Sequence, residues 1–444
     1  MLEERRRRWA GLLERIHTIP EEWLAGGRLD STATTLEPLA CTSWKQLINS
    51  WKKALKWTDG LEYALSVMMA SAASVRLVGD QVWIKVISPP SAGKSILAEA
   101  LAVSSRYAKA VSTFRGFYSG YQEDKNGDGK NFSLIEQLDG KAFIIKDGDT
   151  LLTLPNRSQV LGQGRDLYDT VGRSQYNNKM SKDWHNKRFA WILCGTKSLR
   201  SLDASELGQR FLDCRIMDDI DLALEKEIGW RKINQVRNNR YEVDGKPETT
   251  DSKEMIEAKR LTGGYLEYLR QNMEDLYAGI AMSDEAARRC VQCGEFIAYL
   301  RARPSKIQDE ESSGRELSAR LVSQVGKLAL CLSVVLNRPS VDDYVLRYVR
   351  RVTLDTCIGK TLKTVRKLHQ AGTVGLTAEG LGILDLETAA KERTLLNFMT
   401  GIGITHKFKP TPESGLAPKT HWRLTYVLAD LCDVLLGKVN EKPA

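Results

Sequence analysis

The stretch Val86-Ile-Ser-Pro-Pro-Ser-Ala-Gly-Lys-Ser95 constrains this chain more than any other. It leaves an apolar strand, Val82 to Ile87, passes through a Pro/Gly turn and enters the helical pattern Ile96 to Leu101. From Ser88 to Ser95 the spacing is that of G-x-x-x-x-G-K-[ST], with Ser88 in place of the first glycine. Gly93 lets the backbone approach a polyphosphate, whose charge would be held by successive N–H groups and the positive end of the following helix. Pro90, Ser91, Ala92, Gly93, Lys94, Ser95 and Ile96 are therefore the expected cradle, with Lys94 reaching the β- and γ-phosphates and Ser95 ligating Mg²⁺.

At 444 residues the chain exceeds what one hydrophobic core usually serves, so two or three domains are expected. Its longest apolar runs, such as Leu328 to Leu336, are too short to cross a bilayer, and no apolar signal segment opens the N-terminus. A cytoplasmic protein with no membrane partner is expected. The eight cysteines lie among apolar residues and read as small buried hydrophobes, and Cys290-Val-Gln-Cys293 lacks the second ligand pair a zinc site needs. A formal charge of +9 favours a polyanionic partner, nucleic acid before acidic protein.

Arg5-Arg-Arg-Arg8 sits in a basic amphipathic helical pattern that suits either phosphate contact or a solvated face. After the phosphate loop, Ala110 to Phe114 reads as a second strand. The polar segment Tyr121 to Lys130 imitates the start of a calcium loop, but Ile135 stands where the bidentate glutamate belongs, so Asn-Gly and Asp-Gly turns explain it more simply. Lys141 to Asp149 is an apolar strand ending in acids. Behind a phosphate loop, Asp147 is the expected Mg²⁺-side acid and Asp149 the group polarising the attacking water, since Gly148 occupies the usual glutamate position.

Between Arg157 and Arg188 the cations Arg173, Lys179, Lys182 and Lys187 alternate with Tyr168, Tyr176 and Trp184. That composition suits either a loop tracking a DNA strand or a solvated connection. Phe189 to Cys194 is another apolar strand, and Thr196 just beyond it can face the γ-phosphate. Arg210 opens the next strand-like run, Phe211 to Arg215, and reads either as an arginine reaching a neighbouring subunit's γ-phosphate or as half of a structural ion pair. The chain is helical from Leu261 to about Thr356, and Arg315 or Arg320 could lean on the phosphates from there.

The last part changes rhythm. Helical patterns at Lys360 to Ala371, Leu376 to Leu381 and Glu387 to Thr400 precede two strand-like runs, Gly403 to Lys409 and His421 to Thr425, as in a winged helix. Lys391, Arg393 and Lys407 are its candidate DNA contacts, and protein docking is the other common use of such a module.

Phosphate loop, acid-ended strand, Thr-ended strand, Leu207-Gly-Gln-Arg-Phe211, helical lid and winged helix, in that order, resemble AAA+ P-loop ATPases of phages and mobile elements, which are similar to the minichromosome-maintenance replicative helicases. The resemblance spans residues 55 to 428. It implies an α/β fold with an αβα AAA+ core (51–225), a helical lid (226–356) and a winged helix (357–444); the basic helical segment expected over 1–50 comes from its residue pattern and has no counterpart in the resemblance. It further implies a hexameric ring binding ATP and Mg²⁺ between subunits, Arg210 as the trans-acting finger, Thr196 as first sensor, Arg320 as lid sensor and a pore loop before Phe189 that grips DNA. The expected activity is a DNA helicase or translocase; an ATP-gated initiator or helicase loader, or a packaging or defence ATPase, would use the same scaffold.

Overall fold

Five strands with almost uninterrupted apolar sequence can only be satisfied where both faces of a sheet are covered. The computed structural model, which describes residues 36–114, 116–119, 133–175, 181–202, 210–217, 222–238, 251–302, 317–382, 389–412 and 418–438, shows that arrangement. Strands β1 (Trp83–Ile87), β2 (Ala108–Val111), β3 (Ala142–Ile145), β6 (Ala190–Gly195) and β7 (Phe211–Arg215) form a parallel sheet in the order β2-β3-β6-β1-β7. A separate antiparallel hairpin, β4 (Val171–Gln175) and β5 (Ser181–His185), is inserted between β3 and β6. The second strand lies a little earlier than its sequence suggests, because Ala108 to Val111 is the run that finds a partner in β3.

Alternation along the strands sorts the core into two clusters. Ile84 and Val86 join Ile192, Cys194, Leu212 and Cys214 on the face covered by helices. Trp83 points the other way, with its ring centroid 5.0 to 5.4 Å from Tyr168, Phe189, Trp191 and Phe211. Lys85, in the same file as Trp83, is buried and pairs with Asp213 at 2.9 Å across matched positions of β1 and β7.

On the helical face, Asp59–Ala73 buries twelve of its fifteen residues, so it runs beneath the sheet rather than over its surface. The hydroxyl of Thr58 caps it by accepting the Leu61 N–H at 3.2 Å. Its first turn lies so close to the chain after β7 that a Cβ on Gly60 would stand 1.9 Å from the Ile216 carbonyl oxygen. The helices Lys253–Gln271, Asp284–Arg301, Ala319–Val335 and Asp343–Cys357 complete this side, so the helical stretch expected from Leu261 to Thr356 is several packed segments. Helix Trp44–Ala54 runs across residue 50 and bonds Thr262 from buried Trp51 at 3.0 Å. The tetra-arginine run and the segment from Tyr121 to Lys130 lie outside the described residues.

β7 is an edge strand, and an edge offers unpaired backbone groups to any passing strand. Side chains of Asp343–Cys357 close it: Thr356 Oγ1 accepts from the Asp213 amide (2.9 Å), Asp355 Oδ2 from the Arg215 amide (2.8 Å), and Arg351 donates to the Arg215 carbonyl (3.1 Å). Burial pushes the Asp355 carboxyl up to about 7, against the pull of the Arg215 amide, the Tyr63 hydroxyl and the guanidinium groups of Arg351 and Arg215. A carboxyl whose folded pKa is raised favours the fold most when protonated, so this contribution is full below about 4 and is lost as pH rises through about 7. Chemical unfolding followed from pH 4 to 8 should therefore show stability falling with a slope of up to about 1.4 kcal/mol for each step of one in pH, levelling off above about 7. Asp355→Asn, which keeps an acceptor for the amide, should flatten that profile.

Beyond residue 357 come helices Lys360–Ala371, Ala378–Leu381 and Ala389–Gly401, an antiparallel pair β8 (Thr405–Phe408) and β9 (His421–Leu424), and a closing helix, Tyr426–Leu436. The middle helix starts at Ala378 rather than Leu376, because Leu376 exchanges two 2.9 Å backbone bonds with Trp422 and is held extended. All eight cysteines are free and buried, and burial pushes the Cys290 and Cys293 thiols up to about 12 and about 11. Among the described residues no helix is long and apolar enough to cross a membrane, and no group of three metal-ligating side chains gathers.

Candidate functional site

In the loop after β1, Ser91 (φ 63°) and Gly93 (φ 93°) adopt left-handed conformations just before the helix Lys94–Ala102, the kind of turn in which successive N–H groups can face an anion. Gly93 is required twice: its φ suits glycine, and a Cβ there would stand 2.9 Å from Leu61 of the buried helix. Ser88 is buried in the first position of the motif and has no left-handed φ, so serine costs the turn nothing there. Its amide continues the sheet by donating to the Gly195 carbonyl at 3.1 Å.

Lys94 curls back over the loop, with Nζ 3.4 Å from the Ser88 carbonyl oxygen and 3.3 Å from that of Pro89. These are long bonds, easily exchanged for a phosphate. Partial burial lowers the pKa of Lys94, opposed by Cys194 and by the carboxylates of Asp149 and Asp147, so both acids lie within electrostatic reach of the amine. Ser95 is exposed at the first turn of the helix, as are Pro90 and Ser91 of the loop, while Ala92 and Ile96 are partly covered.

The acids come from the end of β3, with β6 standing between them and β1. Asp147 is exposed at the strand's end. Asp149 turns inward, where one carboxylate oxygen accepts the Thr196 amide at 2.8 Å and the other, Oδ1, is buried without a hydrogen-bond partner. A buried lone carboxylate oxygen is expensive, which fits a place kept for a donor such as water. Glycine at 148 has a steric reason, since a Cβ there would come within 3.2 Å of the Cys194 carbonyl oxygen and a longer side chain has no room. Ser95 and Asp147 would supply two oxygen ligands, a number that suits Mg²⁺ completing its shell with phosphate and water.

Arg210 and Arg320 do not reach this loop. Arg210 precedes β7, beside the beginning of β1, whereas the loop follows the far end of that strand, roughly 16 Å away at 3.3 Å per residue. Its guanidinium lies 5.3 Å from the Tyr168 ring centroid and bonds Asp169 at 3.1 Å. Arg320 lies 5.7 Å from the same ring, so the two arginines converge although neither touches its own chain's phosphate loop. Arg320, expected as the lid sensor, therefore lies beside Tyr168 and Arg210.

The candidate DNA contacts fall into two groups. In the hairpin, Arg173 pairs with Asp183 at 3.0 Å and is largely exposed, Lys182 donates to the Ser119 carbonyl, and Lys187, beyond the hairpin, pairs with Glu136 at 2.7 Å; Lys179 lies outside the described residues. Trp184 is buried and stacks on Tyr118 at 4.3 Å with 7° between the rings, so it anchors the hairpin instead of offering a face to a base. Tyr168 is likewise buried. In the C-terminal module, Arg393, Lys407, Lys409 and Lys419 line a cleft of about 460 Å³, with Arg393 paired to Glu379 at 2.7 Å, and Lys391 is exposed on the same helix as Arg393.

Sequence reasoning missed the Asp149–Thr196 bond and the Lys85–Asp213 pair. The second had a signal: a lysine and an aspartate, each interrupting an otherwise apolar strand, ask to be neighbours. No protein-family model matches the chain, and no curated protein matches it in sequence.

Proposed function

We propose that this chain is an AAA+ P-loop ATPase that couples ATP hydrolysis to movement along DNA, working in the cytoplasm as a ring, with six subunits as the expected number, in the replication of a phage or mobile element. The observation that carries the reading is the convergence of the left-handed Ser91/Gly93 turn, Lys94, and the Asp149 carboxylate tied to the Thr196 amide at one end of one sheet. The strand order supports it, since the Thr-ended strand lies between the loop strand and the acid strand. The α/β core with helices on both faces, and a C-terminal module whose first three helices precede a two-stranded pair as in a winged helix, agree with it.

In this reading the loop amides and Lys94 hold the triphosphate, and Ser95 and Asp147 hold Mg²⁺, which neutralises charge on the phosphates. Water adds to the γ-phosphorus and the bond to the β-phosphate oxygen breaks. The proton of the water passes to the free oxygen of Asp149, whose other oxygen stays on the Thr196 amide, and ADP and phosphate leave. Arg210 and Arg320 would serve the neighbouring subunit, which explains why they sit together at the opposite end of the sheet. The Asp169 partner of Arg210 is more than half exposed, and such a pair contributes about 1 kcal/mol or less, so releasing Arg210 to a neighbour is inexpensive. The test is ATP turnover with and without single-stranded DNA, beside strand displacement on a forked duplex. Stimulation with displacement supports a motor. Turnover that ignores DNA, or ATP-driven assembly without displacement, overturns it.

A further inference from the structure

A second basic feature lies apart from both the phosphate loop and the C-terminal cleft. A cavity of about 900 Å³ opens where the turn Lys197–Ser201, the end of β7 and the helices Asp343–Cys357 and Lys360–Ala371 meet. Nine of its fourteen lining residues are lysine or arginine and one is acidic, and none belongs to the phosphate loop. Four of the cations are committed to partners in the fold: Arg200 to the Asp355 carbonyl, Arg351 to the Arg215 carbonyl and the Tyr63 ring, Arg350 to the Leu435 carbonyl, and Arg215 through its place in β7. The other five, Lys197, Arg347, Lys360, Lys363 and Arg366, are exposed around the mouth. Among the described residues Lys197, Arg347, Lys360 and Arg366 form no ion pair with a carboxylate.

Among the described residues that line the cavity, the one acid does not neutralise them. Asp355 Oδ2 is occupied by the Arg215 amide and the Tyr63 hydroxyl, at 2.8 and 2.9 Å. Two like charges about 8 Å apart repel by about 0.5 kcal/mol even in water, so gathering five exposed cations at one mouth is unfavourable, and an entering anion would relieve it. The uncharged lining is Leu354, Ile358, Gly359 and Leu362, with no aromatic ring on which a base could stack. Walls of cations and aliphatic groups suit phosphates rather than bases, and about 900 Å³ has room for several in a row.

We propose that this cavity is a nucleic-acid site that takes consecutive phosphodiester groups of a DNA backbone without reading its bases. The proposal rests on the DNA half of the function proposed above and needs no nucleotide in the phosphate loop. Occupancy would place DNA against Lys197, the residue after Thr196, and against the start of the C-terminal module.

The experiment uses the full chain without ATP and measures anisotropy of a labelled oligothymidylate, alone and paired with its complement, as salt is varied. Lys360→Gln with Arg366→Gln, both exposed and outside the ATP machinery, should weaken binding about tenfold or more and lower the log–log salt slope by about 1.4 for single strands. A matching loss across unrelated sequences is expected, because bases are not read. Lys407→Gln serves as the comparison. If it weakens DNA binding while the double variant leaves both affinity and slope unchanged, the cavity is not a DNA site although DNA binding stands. Inorganic tripolyphosphate is the second probe: saturable binding that the double variant abolishes, with DNA affinity intact, would assign the cavity to small polyphosphates and overturn the proposal. Unchanged ATP turnover without DNA, and an unchanged melting temperature, separate these outcomes from misfolding or failure of the ATP site.

Discussion

Lys94→Ala should lower ATP turnover by about a thousandfold or more while leaving the melting temperature within about 2 °C of the parent. The two halves of that expectation have different causes. In the structure Lys94 makes only two long bonds to loop carbonyl oxygens, at 3.4 and 3.3 Å, and its amine is partly desolvated, so the fold gains little from it. With a triphosphate bound, the same amine would be the one fixed positive charge in the loop, stabilising charge that grows on the β- and γ-oxygens as the bond breaks. Turnover by phosphate release and unfolding by calorimetry would be measured on the same preparation. Activity retained above a tenth of the parent's would remove the phosphate-loop reading.

The same variant tests whether sites are shared. A chain carrying Arg210→Ala keeps its phosphate loop, and one carrying Lys94→Ala keeps its arginine. Each alone should be inactive; mixed, they should regain a fraction of turnover set by how often an intact loop meets an intact arginine. Because Arg210 and Arg320 both rest on Tyr168, away from their own loop, a self-contained subunit could not use them. No recovery on mixing, with oligomers shown by light scattering, would place hydrolysis within one subunit.

What could be read in advance follows from locality. Gly93-Lys94-Ser95 after an apolar strand is a local arrangement, and the loop forms where the spacing puts it. So do four of the five strands of the sheet, because residues such as Trp191-Ile-Leu-Cys194 have no other way to satisfy their surface than a covered sheet. Orientation was not legible. Their order along the chain separates the roles expected of Asp147 and Asp149 but not their burial, yet one is exposed and the other turned in to Thr196, a choice made by β6 packing beside β3. Trp184 reads as a stacking residue until Tyr118 covers it. The basic cavity draws its cations from segments far apart in the chain, and only the packing of Asp343–Cys357 along the edge of β7 brings them together.

The largest effect on stability is expected directly behind the loop, at the buried pair of Lys85 and Asp213. Their side chains are 8% and 6% exposed and meet at 2.9 Å in register between β1 and β7. Asp213→Ala should cost about 3–5 kcal/mol by urea unfolding, because it strands an amine where water cannot reach it. Replacing both, Lys85→Met with Asp213→Leu, should recover most of that loss, since an apolar pair of similar volume needs no desolvation. The pH dependence of the single variant follows from its sign. Desolvation already lowers the Lys85 pKa, with Arg301 and Arg200 adding repulsion, and Asp213 is what opposes them. Without Asp213 the folded pKa falls further below the ordinary lysine value, so the unfolded chain binds the extra proton and stability climbs as pH rises toward about 10. The Asp213→Ala protein should therefore be weakest near pH 6 and regain stability by pH 9, a trend absent from the double variant. A single variant as stable as its parent at pH 6 would mean that the amine escapes to water, and that β1 and β7 are not sealed behind the phosphate loop.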